Sequence, residues 1–351
     1  MSFKVLPKSE LQGWVEGLIR EYRVVGPRPV RDRFMFDDIQ SFGELALDYT
    51  QTILPPKKAI LPQHDMLFTF DLETGDVSPT LPADPTVLLG VHTCDLHAIQ
   101  LLDTVYSSDY ADQHYLARRE NTIIVSLECL KPCTEYSFCK SMGTLSPTEG
   151  FDLHLTDMGD AYAVDIGSEK GGALLKGVSG LRDADDEDYR VLNQVISDKW
   201  PRFPYRIESD VTELANLLSI SYDSEIWNEL GERCLACGSC TVVCPTCYCF
   251  NVSDEVDFTL NAGKRYREWD HCPLLDFAVV AGGHNFREKN AARQRHRFFR
   301  KGKYQMDAHG LVGCVGCGRC AQACLVHINP VETFNELARR RAPRARAEET
   351  S

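Results

Sequence analysis

A run of four cysteines spaced C-x2-C-x2-C-x3-C occurs twice in this 351-residue chain, and no other feature restricts the fold so strongly. The first run is Cys234, Cys237, Cys240 and Cys244, followed by Pro245; the second is Cys314, Cys317, Cys320 and Cys324. A cubane of iron and sulfide presents four iron corners to four thiolates. Cysteines three residues apart wrap one side of it with a tight loop, and the fourth corner is filled from elsewhere in the chain. In two-cluster ferredoxins the fourth cysteine of each run ligates the other cluster. That pattern assigns Cys234, Cys237, Cys240 and Cys324 to one 4Fe–4S cluster, and Cys314, Cys317, Cys320 and Cys244 to a second. Gly238, Gly316 and Gly318 keep the loops small and leave backbone N–H groups free to reach cluster sulfurs. Leu325 stands where the second run would carry a proline.

Rival readings of the runs are poor. A zinc ribbon uses two separated C-x2-C pairs rather than runs of four. The string GCGRCA at Gly316–Ala321 formally matches a dinucleotide fingerprint, but no strand precedes it and its variable positions include two cysteines of the run. The chain contains no nucleophile elbow, metalloprotease helix, P-loop or haem-attachment motif.

Composition narrows the setting. A formal net charge of −13 argues against a nucleic-acid partner, which needs a basic footprint. No apolar stretch approaches the ~20 residues of a spanning helix, and the N-terminus lacks an apolar signal core. A cytoplasmic protein without a membrane span is expected. In that reducing compartment the fifteen cysteines read as metal ligands or redox thiols, not disulfides.

Hydrophobic periodicity predicts a helix over 11–23, strands over 85–91 and 121–127, and helices over 95–106 and 109–119 between them. Strand, helix and strand at this spacing suggest a βαβ unit with a parallel pair. Further strands are expected at 152–156 and 161–166, and a helix from about 183 to 200. Pro201 and Pro204 mark 199–205 as a linker. Helices near 211–219, 224–232 and 331–340 follow, and the arginine-rich tail reads as a solvated end. The expected class is therefore α+β: an N-terminal α/β domain over 1–205, then a mainly α-helical, ferredoxin-like dicluster domain over 206–351.

Seven cysteines lie outside the runs. Cys94 sits where the first strand of the βαβ unit hands over to its helix, and Cys129 just past the second strand. If the strands are parallel neighbours, both thiols emerge at the C-terminal edge of the sheet, where α/β folds place ligands. Cys133 and Cys139 follow in the adjoining loop. Four thiols on one edge predict a third cluster, with zinc as the alternative occupant and His92, Asp95 and His97 as alternative ligands. Cys247, Cys249 and Cys272 read as structural thiols beside the first run. The basic stretch Arg287–Lys303 offers cations that stabilise reduced clusters or dock an acidic partner.

The strings LPPKKAILPQHDMLFTFD, GVHTCDLHAIQLLD, ARRENTIIVSLECL, FCKSMGT, CPTCYCFNVSDEVD, REWDHC, AGGHNFREK and CVGCGRC carry a resemblance over nearly the whole chain. They resemble the family of β subunits of cytoplasmic sulfhydrogenase-type nickel–iron hydrogenases and A subunits of anaerobic sulfite reductase. GVHTCDLHAIQLLDTVY and ARREN are more similar to the hydrogenase branch. The resemblance implies a non-catalytic electron-transfer subunit. It implies a flavin/NAD(P)-binding subunit on one side, and on the other the hydrogenase small and large subunits or a sirohaem sulfite reductase subunit. It places no flavin or nucleotide in this chain. The family pattern has a cysteine where this chain has Ser137, and Cys133 is the thiol available to stand in. Beside the resemblance, an iron–sulfur sensor and a stand-alone enzyme with an open iron site remain as readings of the motifs.

Overall fold

The computed structural model describes residues 3–82 and 84–348, with side chains described through Arg340. The arginines of the tail beyond that point lie outside the residues whose side chains are described.

The first half runs β1 (Lys4–Pro7), α1 (Leu11–Glu21), β2 (Arg23–Val30), β3 (Arg33–Asp38), β4 (His64–Asp71), β5 (Val77–Pro79), β6 (Thr86–His92), α2 (Thr93–Ser107), α3 (Gln113–Glu120) and β7 (Thr122–Leu127). It continues through β8 (Leu153–Asp157), β9 (Ala161–Ile166), α4 (Glu169–Leu174), β10 (Arg182–Asp183) and α5 (Asp186–Lys199). Eight of these strands form a mixed sheet in the order β10-β1-β9-β8-β7-β6-β2-β3. Its middle, β2-β6-β7-β8, is parallel. Every residue of β6 (TVLLGVH) and β7 (TIIVSL) is buried, as parallel strands covered on both faces require. Helices α2 and α3 form the crossover between them, so the βαβ unit read from the sequence is present.

Strands β2 and β3 lie where no element was expected, and β2 carries Pro27 and Pro29, residues that central strands exclude. The register shows how they are tolerated. Strand β2 pairs with β6 only through residues 23–25; beyond that point its strand partner is β3, and the Pro27 carbonyl also accepts the Ala46 N–H at 2.8 Å. Both prolines sit in the one-sided stretch, where a missing N–H leaves no ladder bond broken.

The second half contains α6 (Leu214–Ile220), α7 (Ile226–Arg233), α8 (Ser239–Val242), β11 (Phe250–Val256), β12 (Ala262–Trp269), α9 (Asn290–Phe299), α10 (Gln305–His309), α11 (Arg319–Gln322) and α12 (Pro330–Glu348). Leu214, Leu218, Trp227, Phe298, Phe299 and Phe334 fill the core of this helical part. The hairpin β11–β12 departs from the mainly helical expectation. It joins β4 and β5 in a second antiparallel sheet, β11-β12-β4-β5, which spans the division expected at residue 205. Arg267 of β12 and Arg118 of α3 both hold the buried Asp65 of β4, at 2.7 and 3.0 Å.

The expected linker is also different in kind. Lys199 is fully buried, its ammonium 2.8 Å from Glu128 and 2.6 Å from the Ser146 hydroxyl. Phe203 packs among Cys94, Cys129 and Cys139. Residues 199–205 therefore clamp the sheet edge. Lys199 and Phe203 are the buried anchors of this stretch, while Trp200–Arg202 and Pro204 are exposed.

Candidate metal centres

The two cysteine runs fold alike. Each places a glycine in the left-handed region, Gly238 at φ 76° and Gly318 at φ 78°, immediately before a single helical turn, α8 or α11. Two residues earlier, Ala236 and Gly316 are also left-handed, at φ 53° and 67°. The repeat in sequence is thus a repeat in backbone conformation. It gathers the first three cysteines of each run in one tight loop.

The fourth thiol of each run crosses to the other. Cys324 lines a small pocket, of about 20 Å3, together with Cys234, Cys237 and Cys240. Reciprocally, Cys244 lies within electrostatic reach of Cys314, Cys317 and Cys320. Polar hydrogens point at several of these sulfurs. The Ala236 N–H donates to Cys234 Sγ at 3.3 Å, the Ile328 N–H to Cys324 Sγ at 3.2 Å, and the Gln294 amide to Cys234 Sγ at 2.9 Å.

The sheet edge brings together the remaining predicted group. Thr93, Cys94 and Cys129 stand at the C-terminal ends of β6 and β7, and the Thr93 hydroxyl is 3.5 Å from Cys129 Sγ. Cys94, Cys129 and Cys139 share one buried cluster with Cys317, while Cys133 neighbours Cys94, Cys129 and Cys139. A β-bulge in β6, where Gly90 takes φ 82°, adjusts this edge. The Gly90 carbonyl accepts the Tyr49 hydroxyl at 2.8 Å, and the Tyr49 ring stacks on His92 at 4.0 Å.

The loop bearing Cys139 presses directly on the second run. The Phe138 N–H donates to the Gly316 carbonyl at 2.8 Å, and the Thr144 hydroxyl to the Val315 carbonyl at 2.6 Å. A Cβ on Gly316 would stand 2.6 Å from the Cys139 nitrogen, and one on Gly318 2.7 Å from the Tyr136 carbonyl. These glycines are needed for the close approach of two backbones as well as for their φ. Sequence reading gave them the small loop and the free N–H groups, but not this close approach.

The alternative ligands have other partners. Both Asp95 oxygens are taken by Arg319, at 2.6 and 2.7 Å, with both side chains buried. His97 Nε2 is 2.9 Å from the Ser146 carbonyl. His92 is held neutral, its pKa pushed down to about 3 by burial and by Arg319, with Nδ1 3.5 Å from Cys133 Sγ. Sequence reading missed Arg319, which occupies a variable position of the second run. It also missed Gln294, Arg297 and Lys301, which it saw only as members of a basic stretch.

These donors suit an iron–sulfur cubane. Among the described residues no group of three or more His, Cys, Asp or Glu side chains is placed to hold a single metal ion. A cubane asks for something different, because each thiolate binds its own iron corner across a cage. Burial pushes the thiols of Cys314, Cys317 and Cys320 up to about 12. Thiols so placed surrender their protons on metal binding.

Paired cysteine runs around such spaces define an iron–sulfur electron-transfer protein. Residues 233–328 match the 4Fe-4S dicluster domain family. The chain is 37% identical over 316 residues to sulfhydrogenase 2 subunit beta of Pyrococcus furiosus, covering 90% of this chain and 92% of that protein. It therefore belongs to the sulfhydrogenase beta-subunit family and is an iron–sulfur subunit of the oxidoreductase, hydrogenase-subunit type. It is also 28% identical over 209 residues to F420-dependent formate dehydrogenase subunit beta of Methanocaldococcus jannaschii, covering 56% of this chain and 47% of that one. No solved structure matches the chain. No described helix is long and apolar enough to cross a membrane.

Proposed function

We propose that the chain is a three-cluster electron relay, working in the cytoplasm between a flavin/NAD(P)-binding subunit and the small and large subunits of a nickel–iron hydrogenase. In this reading Cys234, Cys237, Cys240 and Cys324 hold an outer cluster, and Cys314, Cys317, Cys320 and Cys244 an inner one. Cys94, Cys129, Cys133 and Cys139 hold a third. Residues 1–205 then carry the third cluster and residues 206–351 the other two. Each cluster, when bound, supplies a one-electron carrier.

The observation that carries the reading is continuity. Cys317 of the inner set packs with Cys94, Cys129 and Cys139, and Cys320 of the same set neighbours Cys240 of the outer set. The three thiol groups thus form one unbroken series. The protein's own residues exclude water from the middle of that series and orient the thiols. The match to a sulfhydrogenase subunit along 90% of the chain supports the hydrogenase partner over a sirohaem one.

Anaerobic co-purification with metal and cofactor analysis tests the assignment. Nickel, flavin and about twelve irons per copy of this chain, after allowance for the partners' own iron, are expected from three four-iron clusters. A sirohaem absorption band in the complex would overturn the hydrogenase branch, and about eight irons would remove the third cluster.

A further inference from the structure

Helix α9 brings Gln294 and Arg297, one turn apart and both buried, to the wall of the outer cluster space. Gln294 donates to Cys234 Sγ at 2.9 Å. The Arg297 guanidinium lines the pocket of Cys234, Cys237, Cys240 and Cys324 and lies within electrostatic reach of Cys240, Cys320, Cys272 and Cys244, so it has neighbours in both thiol sets of the C-terminal repeat. Among the described residues no carboxylate pairs with it. Its hydrogen bond runs to the Gln294 side-chain oxygen at 3.4 Å, and its neighbouring ring is Phe298.

A buried guanidinium without an anion is costly, because its desolvation is not offset. Three other buried cations are matched by carboxylates, Arg319 by Asp95, Lys199 by Glu128 and Arg267 by Asp65, while Arg293 is held by the Arg287 and Glu288 carbonyls and Lys57 by the Cys247 carbonyl and the Trp269 ring. Arg297 is matched only by cysteines, so the anion that balances it must be one those cysteines help to form. Lys301, bonded to the Thr246 hydroxyl at 2.6 Å and facing Cys244 and Cys314, adds positive charge on the inner side.

We infer that Arg297 is the counter-ion of the two C-terminal clusters and holds their reduction potentials above that of the third. The inference rests on the ligand sets proposed above. Reduction adds one negative charge to a cluster, and a fixed cation in a low-dielectric interior stabilises the more negative form. Around the third set, Arg319 is neutralised by Asp95 and Glu128 by Lys199, so neither pair has this effect. An electron held by the chain therefore rests on the C-terminal pair. Gln294 acts in the same direction through its hydrogen bond to a ligand sulfur.

The test is a redox titration followed by electron paramagnetic resonance on the full-length chain, reconstituted anaerobically, with iron and acid-labile sulfide measured in each sample. In Arg297→Met and Arg297→Gln, the reduced-to-oxidised ratio of the two C-terminal clusters should fall roughly tenfold at fixed potential, a shift of about 59 mV for a one-electron couple. The third cluster should move less, and Arg297→Lys should restore the wild-type values. Unmoved potentials in a neutral variant of normal iron content overturn the inference. So does an equal displacement in Arg297→Lys. Loss of iron from both neutral variants but not from Arg297→Lys supports a role for the charge, whereas loss from all three assigns Arg297 to packing and overturns it. A wild-type chain that takes up no iron and sulfide sinks the ligand reading itself. Normal wild-type content with unmoved variant potentials sinks the counter-ion alone.

Discussion

The two cysteine runs share spacing, left-handed glycines and a single helical turn, yet they live in opposite environments. In the first, Cys237 is exposed, and Leu235 and Leu325 beside its cavity are 59% and 77% exposed. In the second, Val315, Cys317, Arg319 and Ala321 are all buried under the loop over 136–139 and the C-terminal edge of the parallel sheet. Local sequence made both loops the same; what packs on them made them different. A carrier at the surface can exchange electrons with another protein, while one enclosed on all sides can only pass them along. In the relay proposed above, the outer run would therefore be a terminus and the inner run a middle link.

Arg319 and Ser239 occupy the same position in the two runs and give the sharpest way to break the comparison. Arg319 joins Asp95 across the boundary between repeat and sheet, with both groups buried. Arg319→Met strands that carboxylate, and a loss of about 3–5 kcal/mol is expected, read as a lowered unfolding midpoint of the reconstituted protein. Adding Asp95→Asn should return part of it, because the stranded charge is then gone. Ser239→Ala should change stability by no more than about 0.5 kcal/mol. Equal effects at the two positions would show that the inner run is not enclosed as described.

A smaller difference is expected at the glycines. Gly238 and Gly318 have the same φ, so an alanine at either meets the same backbone strain, about 1–2 kcal/mol. Only at Gly318 does the new methyl also run into backbone, 2.7 Å from Tyr136; at Gly238 its nearest neighbour is the His271 side chain at 3.3 Å. Gly318→Ala should therefore cost at least about 1 kcal/mol more than Gly238→Ala, and it should disturb the third cluster's spectrum as well as the inner one's. If the two variants melt together, the contact between the 136–139 loop and the second run is not tight.

Much of this arrangement was legible before any coordinates. The C-x2-C-x2-C-x3-C spacing revealed the repeat, because ligand geometry is written in short-range sequence. The apolar runs at β6 and β7 revealed the parallel pair, and with it the shared edge that brings Cys94 and Cys129 together. What could not be read was set by distant partners. Lys199 looked like the start of a linker because nothing near it in sequence announces Glu128, seventy-one residues earlier. The hairpin β11–β12 is mostly exposed and polar, so it lacks the apolar alternation that marks a strand, and its pairing with β4 is what makes it one. Arg297 looked like one cation in a basic helix; only the fold shows that this helix turns it inward.

The smallest effect on the fold should come from the surface of the outer run, and there the comparison becomes functional. Leu325 fills the position where the first run has Pro245, and it is mostly exposed. With Leu235 it lines the same space as Cys234, Cys237, Cys240 and Cys324. Leu325→Asp removes little buried area, so stability should stay within about 0.5 kcal/mol. A charge at the centre of a docking face is costly to desolvate, however, and should weaken association by about 1–3 kcal/mol. The measurement is stopped-flow electron exchange between the reconstituted chain and its co-purified partner, set beside exchange with a small dye. Slower exchange with the protein partner, and unchanged exchange with the dye, would mark the outer run as the end of the relay. Unchanged exchange with both would mean that the partner docks elsewhere, and the third cluster's edge would become the terminus to examine.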